Sequence, residues 1–92
     1  MIRSFRDKKA EALYEGVGVA AFRSFRKQAE RRLAILDAAT SLLDLAALRS
    51  NKLHALKDDR KGQHAIRINE QWRICFVWRD DGPHDVEITD YH

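Results

Sequence analysis

The sequence has 92 residues and a mass of 10.7 kDa, is 45% hydrophobic and 34% charged, and contains four glycines and one proline. This is enough chain for a single domain spanning 1–92 with one core, and the composition excludes a disordered tail, a collagen-like repeat and a low-complexity linker. The lone Cys75 excludes a disulfide framework, and the longest uncharged run, Gly16 to Phe22, is too short for a membrane span or signal-peptide core. The expectation is a small soluble protein of the reducing cytoplasm.

In chain order, Ile2, Ser4 and Phe5 suggest a short opening strand. Lys8 to Glu15 reads as a short helix stopped near Gly16 and Gly18. Phe22, Phe25, Ala29, Leu33 and Leu36 recur every three or four residues, which predicts one long amphipathic helix from about Ala20 to Ala39 with that stripe in the core. Arg23, Arg26, Lys27, Glu30 and Arg31 lie on its opposite side. Thr40 or Ser41 is placed to cap a short helix through Leu48, with Leu42, Leu45 and Leu48 on one side. Beyond Ser50 the period shortens to two. Ala65, Ile66 and Ile68 predict a strand ending at Asn69-Glu70-Gln71. Trp72, Ile74, Phe76 and Trp78 alternate with Arg73, Cys75, Val77 and Arg79 in a second strand. Asp81-Gly82-Pro83 predicts a turn, and Val86 and Ile88 a third strand. Helices followed by three sequential strands imply an α+β fold with a mainly antiparallel sheet packed on helices.

The formal net charge of +3 hides segregation: +5 over residues 1–36, −2 over 37–48, +4 over 49–73 and −4 over 74–92. Basic blocks beside an acidic end suit a surface that binds phosphates and holds carboxylates near them; opposite charges paired on a solvated surface is the plainer alternative. No Walker-type loop, nucleotide-binding glycine fingerprint or zincin helix occurs. His54, His64, His84, His92 and Cys75 lack the close pairing of a zinc site, so no metal or cofactor is expected, and Cys75 reads as a small packing residue. Two segments carry usable chemistry. In Lys52–Gly62, Leu53 and Leu56 can anchor the chain while His54, Lys57, Arg60 and Lys61 face phosphate oxygens. In Asp90-Tyr91-His92, an acid, a phenol and an imidazole stand in succession, the side-chain types of general acid–base chemistry, though taken alone a frayed, soluble C-terminus accounts for them better.

These segments, with Met1–Phe5, Arg32-Leu33, Leu36–Ala39, Asp59–Gly62, Trp72-Arg73-Ile74 and Phe76, resemble the HigB-type toxins of the RelE superfamily over essentially the whole chain. Those bacterial toxins cleave messenger RNA on the ribosome. The resemblance implies the RelE-like microbial RNase fold, with N-terminal helices packed on a twisted, mainly antiparallel sheet. It also implies a catalytic set of His54, Lys57, Arg73, Asp90, Tyr91 and His92, with no cofactor. Combined with the charge pattern, it implies contacts from Arg23, Arg26, Lys27, Arg60 and Lys61 to the message and ribosomal RNA, and a cognate HigA-like helix-turn-helix antitoxin. A ParE-like gyrase inhibitor and a plain RNA-binding module are the alternatives on the same scaffold. The chain departs from the family pattern at Ala55, often proline, at His64, often a larger aromatic, and at Asp58, usually glycine. Asp58 places a negative charge beside Lys57 and is expected to weaken phosphate binding or pair with Arg60.

Overall fold

The structure, a computed structural model, describes residues 1–90. Three helical segments precede the sheet, as the change of period predicts. Helix α1 spans Lys8–Tyr14, with the Asp7 carboxylate accepting from the Lys9 N–H at 2.9 Å as its N-cap. The apolar stripe Phe22, Phe25, Ala29, Leu33 and Leu36 is buried throughout. It is not one α-helix, however: Ala20–Phe25 is a 3₁₀ turn and α2 proper runs Arg26–Ala38. Phe22 and Phe25 are three apart, a spacing that both helix types place on one side, so periodicity alone does not separate them. Helix α3 is Leu42–Ala47. Ser41 Oγ accepts from the Asp44 N–H at 3.2 Å, and Asp44 reaches back to the Thr40 N–H at 2.9 Å. The helix stops before Leu48, which is 41% exposed rather than buried with Leu45.

The sheet has four strands, β1 His54–Ala55, β2 His64–Arg67, β3 Arg73–Arg79 and β4 Gly82–Thr89, in that order and with every neighbour antiparallel. Alternation predicts three of them. The fourth, β1, is two exposed residues with no apolar alternation to reveal it. The β3–β4 hairpin closes on Asp80-Asp81, with Arg79 opposite Gly82, so Gly82 and Pro83 belong to β4 and not to the expected turn.

One face of the sheet packs on the helices. Ile66, Ile74 and Ile88 lie directly opposite one another across β2, β3 and β4, and with Phe76 and Val86 they join Leu13, Phe22, Leu33 and Leu36 in the core. At one end Trp72 stacks on Phe25 (ring centroids 5.0 Å apart) and meets Phe22 edge-on. His64 lies on this inner face, stacked on Phe76.

The first residues line the free side of β4. Phe5 bridges Val86 in parallel, Arg3 N–H donates to Pro83 O at 2.9 Å and Arg6 N–H to Val86 O at 3.0 Å. Gly82 is required here: its φ is +125°, and a Cβ would sit 2.7 Å from the Met1 carbonyl. Asp37 on α2 anchors the same segment, its Oδ1 accepting from the Ile2 N–H at 2.8 Å and the Tyr14 hydroxyl at 2.9 Å.

The segment leading into β1 is pinned from within. Asn51 is fully buried, donates from Nδ2 to Leu45 O at 3.0 Å and accepts from Arg32 Nη1 at 2.6 Å. Asn51→Ala should therefore cost about 1–3 kcal/mol by stranding both partners. In urea titrations followed by circular dichroism the midpoint should fall with an unchanged slope; an unshifted midpoint would remove Asn51 from this role.

Candidate active site

Cross-strand partners in a sheet project to the same side, so the register that builds the core also composes the outer face. Two rows run across it. His54, Ala65, Cys75 and Glu87 form one, and Arg67, Arg73 and Thr89 form the next. His54 and Arg73, 19 positions apart in sequence, are thereby carried on one face in adjacent rows. His54 Nδ1 lies 3.1 Å from Lys52 O, an interaction suited to an Nδ1–H tautomer with Nε2 turned away from the backbone. Arg73 donates from Nη1 to the carbonyls of Asn69 and Trp72, which holds its guanidinium against the β2–β3 connection.

The loop after β1 folds over this face. Arg60 leaves β1's side of the sheet and reaches Glu87 on β4 at 2.9 Å, so its segment crosses above β2 and β3. It also donates to Gln63 Oε1 at 3.2 Å. The Arg60 and Glu87 side chains are only 27% and 22% exposed. Arg60 is thus held by Glu87 and not by Asp58, and it is an anchored cation rather than a displayed one. Lys57 and Lys61 are exposed on either side of the short 3₁₀ turn Asp58–Arg60. Asp58 begins that turn with φ +54°, a left-handed conformation that favours glycine and that Asp tolerates better than most side chains. The glycine usual in the resembling toxins has its physical reason here.

Cys75 is fully buried beneath this arrangement, and burial, more than the neighbouring charges of Arg60, Glu87 and Arg73, pushes its thiol up to about 11. It packs and does not react. Among the described residues the histidines do not converge either: His54 is on the outer face, His64 on the inner, and His84 sits beside the hairpin with Nε2 2.6 Å from Asp81 Oδ1. That contact draws the Asp81 carboxyl below its usual range. Among the described residues no group of three His, Cys, Asp or Glu side chains could hold a metal ion.

Asp90 follows Thr89, which lies opposite Arg73, and its Oδ2 accepts from Gln71 Nε2 at 2.8 Å. Tyr91 and His92 lie outside the described residues. Of the cations expected to meet RNA, Arg23 is exposed on the 3₁₀ turn before α2 and Lys27 in the first turn of α2. Arg26 is half-buried, bonded to Gly16 O at 3.2 Å and paired with Glu30 at 3.4 Å, and so ties the α1–α2 connection. Sequence reasoning passed over Glu87, which seats Arg60, and Arg67, which faces Arg73. The alternation of Arg67 with buried Ile66 and Ile68 was the available signal for the latter.

Two outcomes are expected. Asp58→Gly should retain or raise stability while Asp58→Ala lowers it by about 1 kcal/mol, because only glycine adopts the left-handed region without cost. Equal urea midpoints for both variants would contradict this backbone requirement. Cys75 should resist alkylation at pH 8 in the native protein and react once unfolded. The stability gained by keeping its thiol neutral is full below its ordinary value of 9.0 and is lost as pH rises through about 11.

Comparison with known proteins agrees on this architecture. A family model described as the RelE-like toxin of type II toxin–antitoxin system HigB matches residues 3–92. The chain is 33% identical over 93 aligned positions to a Proteus vulgaris protein named Endoribonuclease HigB, covering all of both. It is 35% identical over 82 positions to Toxin HigB-1 of Vibrio cholerae serotype O1, covering 87% of this chain and 86% of that one. Its fold is similar to a chain of the YoeB-YefM complex from Staphylococcus aureus, with a TM-score of 0.59 at 18% identity over 100% of this chain and 98% of that one.

Proposed function

The chain belongs to the HigB-like toxins, RelE-like toxins of type II toxin–antitoxin systems, and from that premise we propose that it is an endoribonuclease cleaving messenger RNA on the ribosome in the bacterial cytoplasm. The observation that carries the proposal is the outer sheet face. It carries His54 and Arg73 on one side of the sheet in adjacent rows, with Lys57 in the loop after β1 and Asp90 directly after Thr89. The relative from Proteus vulgaris that spans the whole chain bears the name endoribonuclease, which supports the same reading.

RNA brings its own nucleophile. The 2′-oxygen attacks the adjacent phosphorus and loses its proton, and the bond from phosphorus to the 5′-oxygen breaks as that oxygen gains one. The protein must align the 2′-oxygen with the leaving 5′-oxygen, move two protons and neutralise the crowded phosphorane. Lys57 and Arg73 are the charge-neutralising donors, each contributing on the order of 3 kcal/mol if they act as pre-oriented donors elsewhere do. The proton transfers fall to the set His54, Asp90 and His92. The Gln71 amide donates to Asp90 Oδ2 at 2.8 Å and orients that carboxyl group. Tyr91 supplies a ring on which an unstacked base rests. No step requires a cofactor.

A face this small grips few nucleotides, so the ribosome supplies much of the positioning. Arg23, Lys27 and Lys61 are exposed cations suited to ribosomal RNA and the message, whereas Arg60 is held by Glu87 and seats the loop that carries Lys57 and Lys61. The antitoxin partner is a HigA-like helix-turn-helix protein.

Primer extension on messenger RNA with programmed ribosomes tests the proposal and maps the cut. Lys57→Ala and Arg73→Ala should each slow cleavage by about 100-fold or more, and Lys27→Ala far less. Removing Tyr91 and His92 should abolish cleavage with the circular dichroism spectrum retained. Equal effects of all three substitutions would indicate diffuse electrostatic binding instead, and gyrase inhibition without cleavage would overturn the ribonuclease assignment.

A further inference from the structure

We propose that Arg67, together with Arg32 and Lys52, forms a subsite for a phosphate of the substrate strand neighbouring the scissile one; the inference rests on the ribonuclease reading and extends its site along the strand. A cleft of about 400 Å³ opens where α2, the turn before β1 and the β2–β3 connection meet, lined by Arg32, Ser50, Lys52, Arg67, Asn69 and Glu70 among others. Three cations face one carboxylate, and the remaining groups are mostly hydrogen-bonding, so the occupant is an anion.

The cleft is continuous with the candidate active site. Arg67 lies directly opposite Arg73 in the β2–β3 register, Asn69 gives its carbonyl to Arg73, and Lys52 gives its carbonyl to His54. Like charges directly opposite in a sheet repel and are destabilising unless an anion lies between or beside them. Among the described residues the carboxylate paired with Arg67 is Glu70, at 3.9 Å and 95% exposed, so it compensates little. Arg32 is pre-set: Nη1 is fixed by Asn51 at 2.6 Å and Ser50 at 3.3 Å, leaving little rotamer freedom to lose on binding. An RNA strand held at Arg73 supplies the missing negative charge one phosphate away.

The test pairs protein variants with synthetic messages bearing a single methylphosphonate, which removes one phosphate charge, at each of the two positions on either side of the cut. For the unmodified message on programmed ribosomes, Arg67→Ala should raise KM by about tenfold with kcat retained, the loss of one charge-assisted contact. Arg67→Lys should recover part of it, and Lys8→Ala on α1 should have no effect. At one flanking position the methylphosphonate should cost the wild-type protein the same factor and cost Arg67→Ala nothing further. If the penalty at every position is the same in both proteins, the subsite is overturned even though cleavage continues. A merely structural role, or a contact to ribosomal RNA, gives that additive result. If the wild-type protein cuts no message, the ribonuclease reading itself falls, separately from this one.

Discussion

The antiparallel register of β2, β3 and β4 determines what both sides of the molecule can be. Ile66, Ile74 and Ile88 stand in one row facing the helices, and the next residues along, Arg67, Arg73 and Thr89, stand in a row facing outward. Because the side-chain period of a strand is two, a slip of a single residue would send the isoleucines into water and three polar side chains into the core. Burial of that apolar row therefore fixes the placement of Arg73 and, through the β1–β2 pairing, of His54. The same force that folds the chain aims the outer face proposed as the site.

Where the register leaves a cost, local contacts meet it. The outer face gathers Arg60 and Arg73 close to buried Cys75, and Glu87 answers Arg60 from within the sheet. The Arg60–Glu87 pair is largely shielded from solvent, so each partner depends on the other more than a surface pair does. It also lays the Asp58–Gln63 segment across the sheet. That position demands a left-handed residue at the start of the turn, and Asp58 fills it. Ion pair, turn and exposed Lys57 are one arrangement.

The parts of the fold legible in the sequence are those governed by long apolar periods: α2, β3, the latter half of β4, and the burial of Phe22 through Leu36. The boundaries that escaped have identifiable reasons. Strand β1 is two exposed residues whose pairing is dictated by Ala65 and His64 across the ladder, so nothing in its own composition reports it. Pro83, read as part of a turn, lies inside β4 opposite Trp78, its carbonyl accepting from the Arg3 N–H of the opening segment. The 3₁₀ turn at Ala20–Phe25 shares its apolar spacing with an α-helix. In the site, residue types and order were legible, whereas which cations are anchored and which are displayed depended on partners distant in sequence.

That distinction bears on how a basic sequence should be read. The seventeen Lys and Arg residues look interchangeable in a charge count, yet they divide by what already engages them. Arg26 closes a connection through Gly16 and Glu30, and Arg60 spans the sheet to Glu87. Both hold the scaffold, and replacing either removes packing as well as charge. Lys57, Lys61, Arg23 and Lys27 are exposed and carry charge without fixing backbone. Arg67 and Arg73 form a third kind: half-buried, facing each other, and only partly compensated by protein groups. A cation of the first kind is satisfied in the folded chain, and one of the second is satisfied by water. Only the third is left short by both, and under the proposed function it is RNA laid along the outer face that supplies the missing charge.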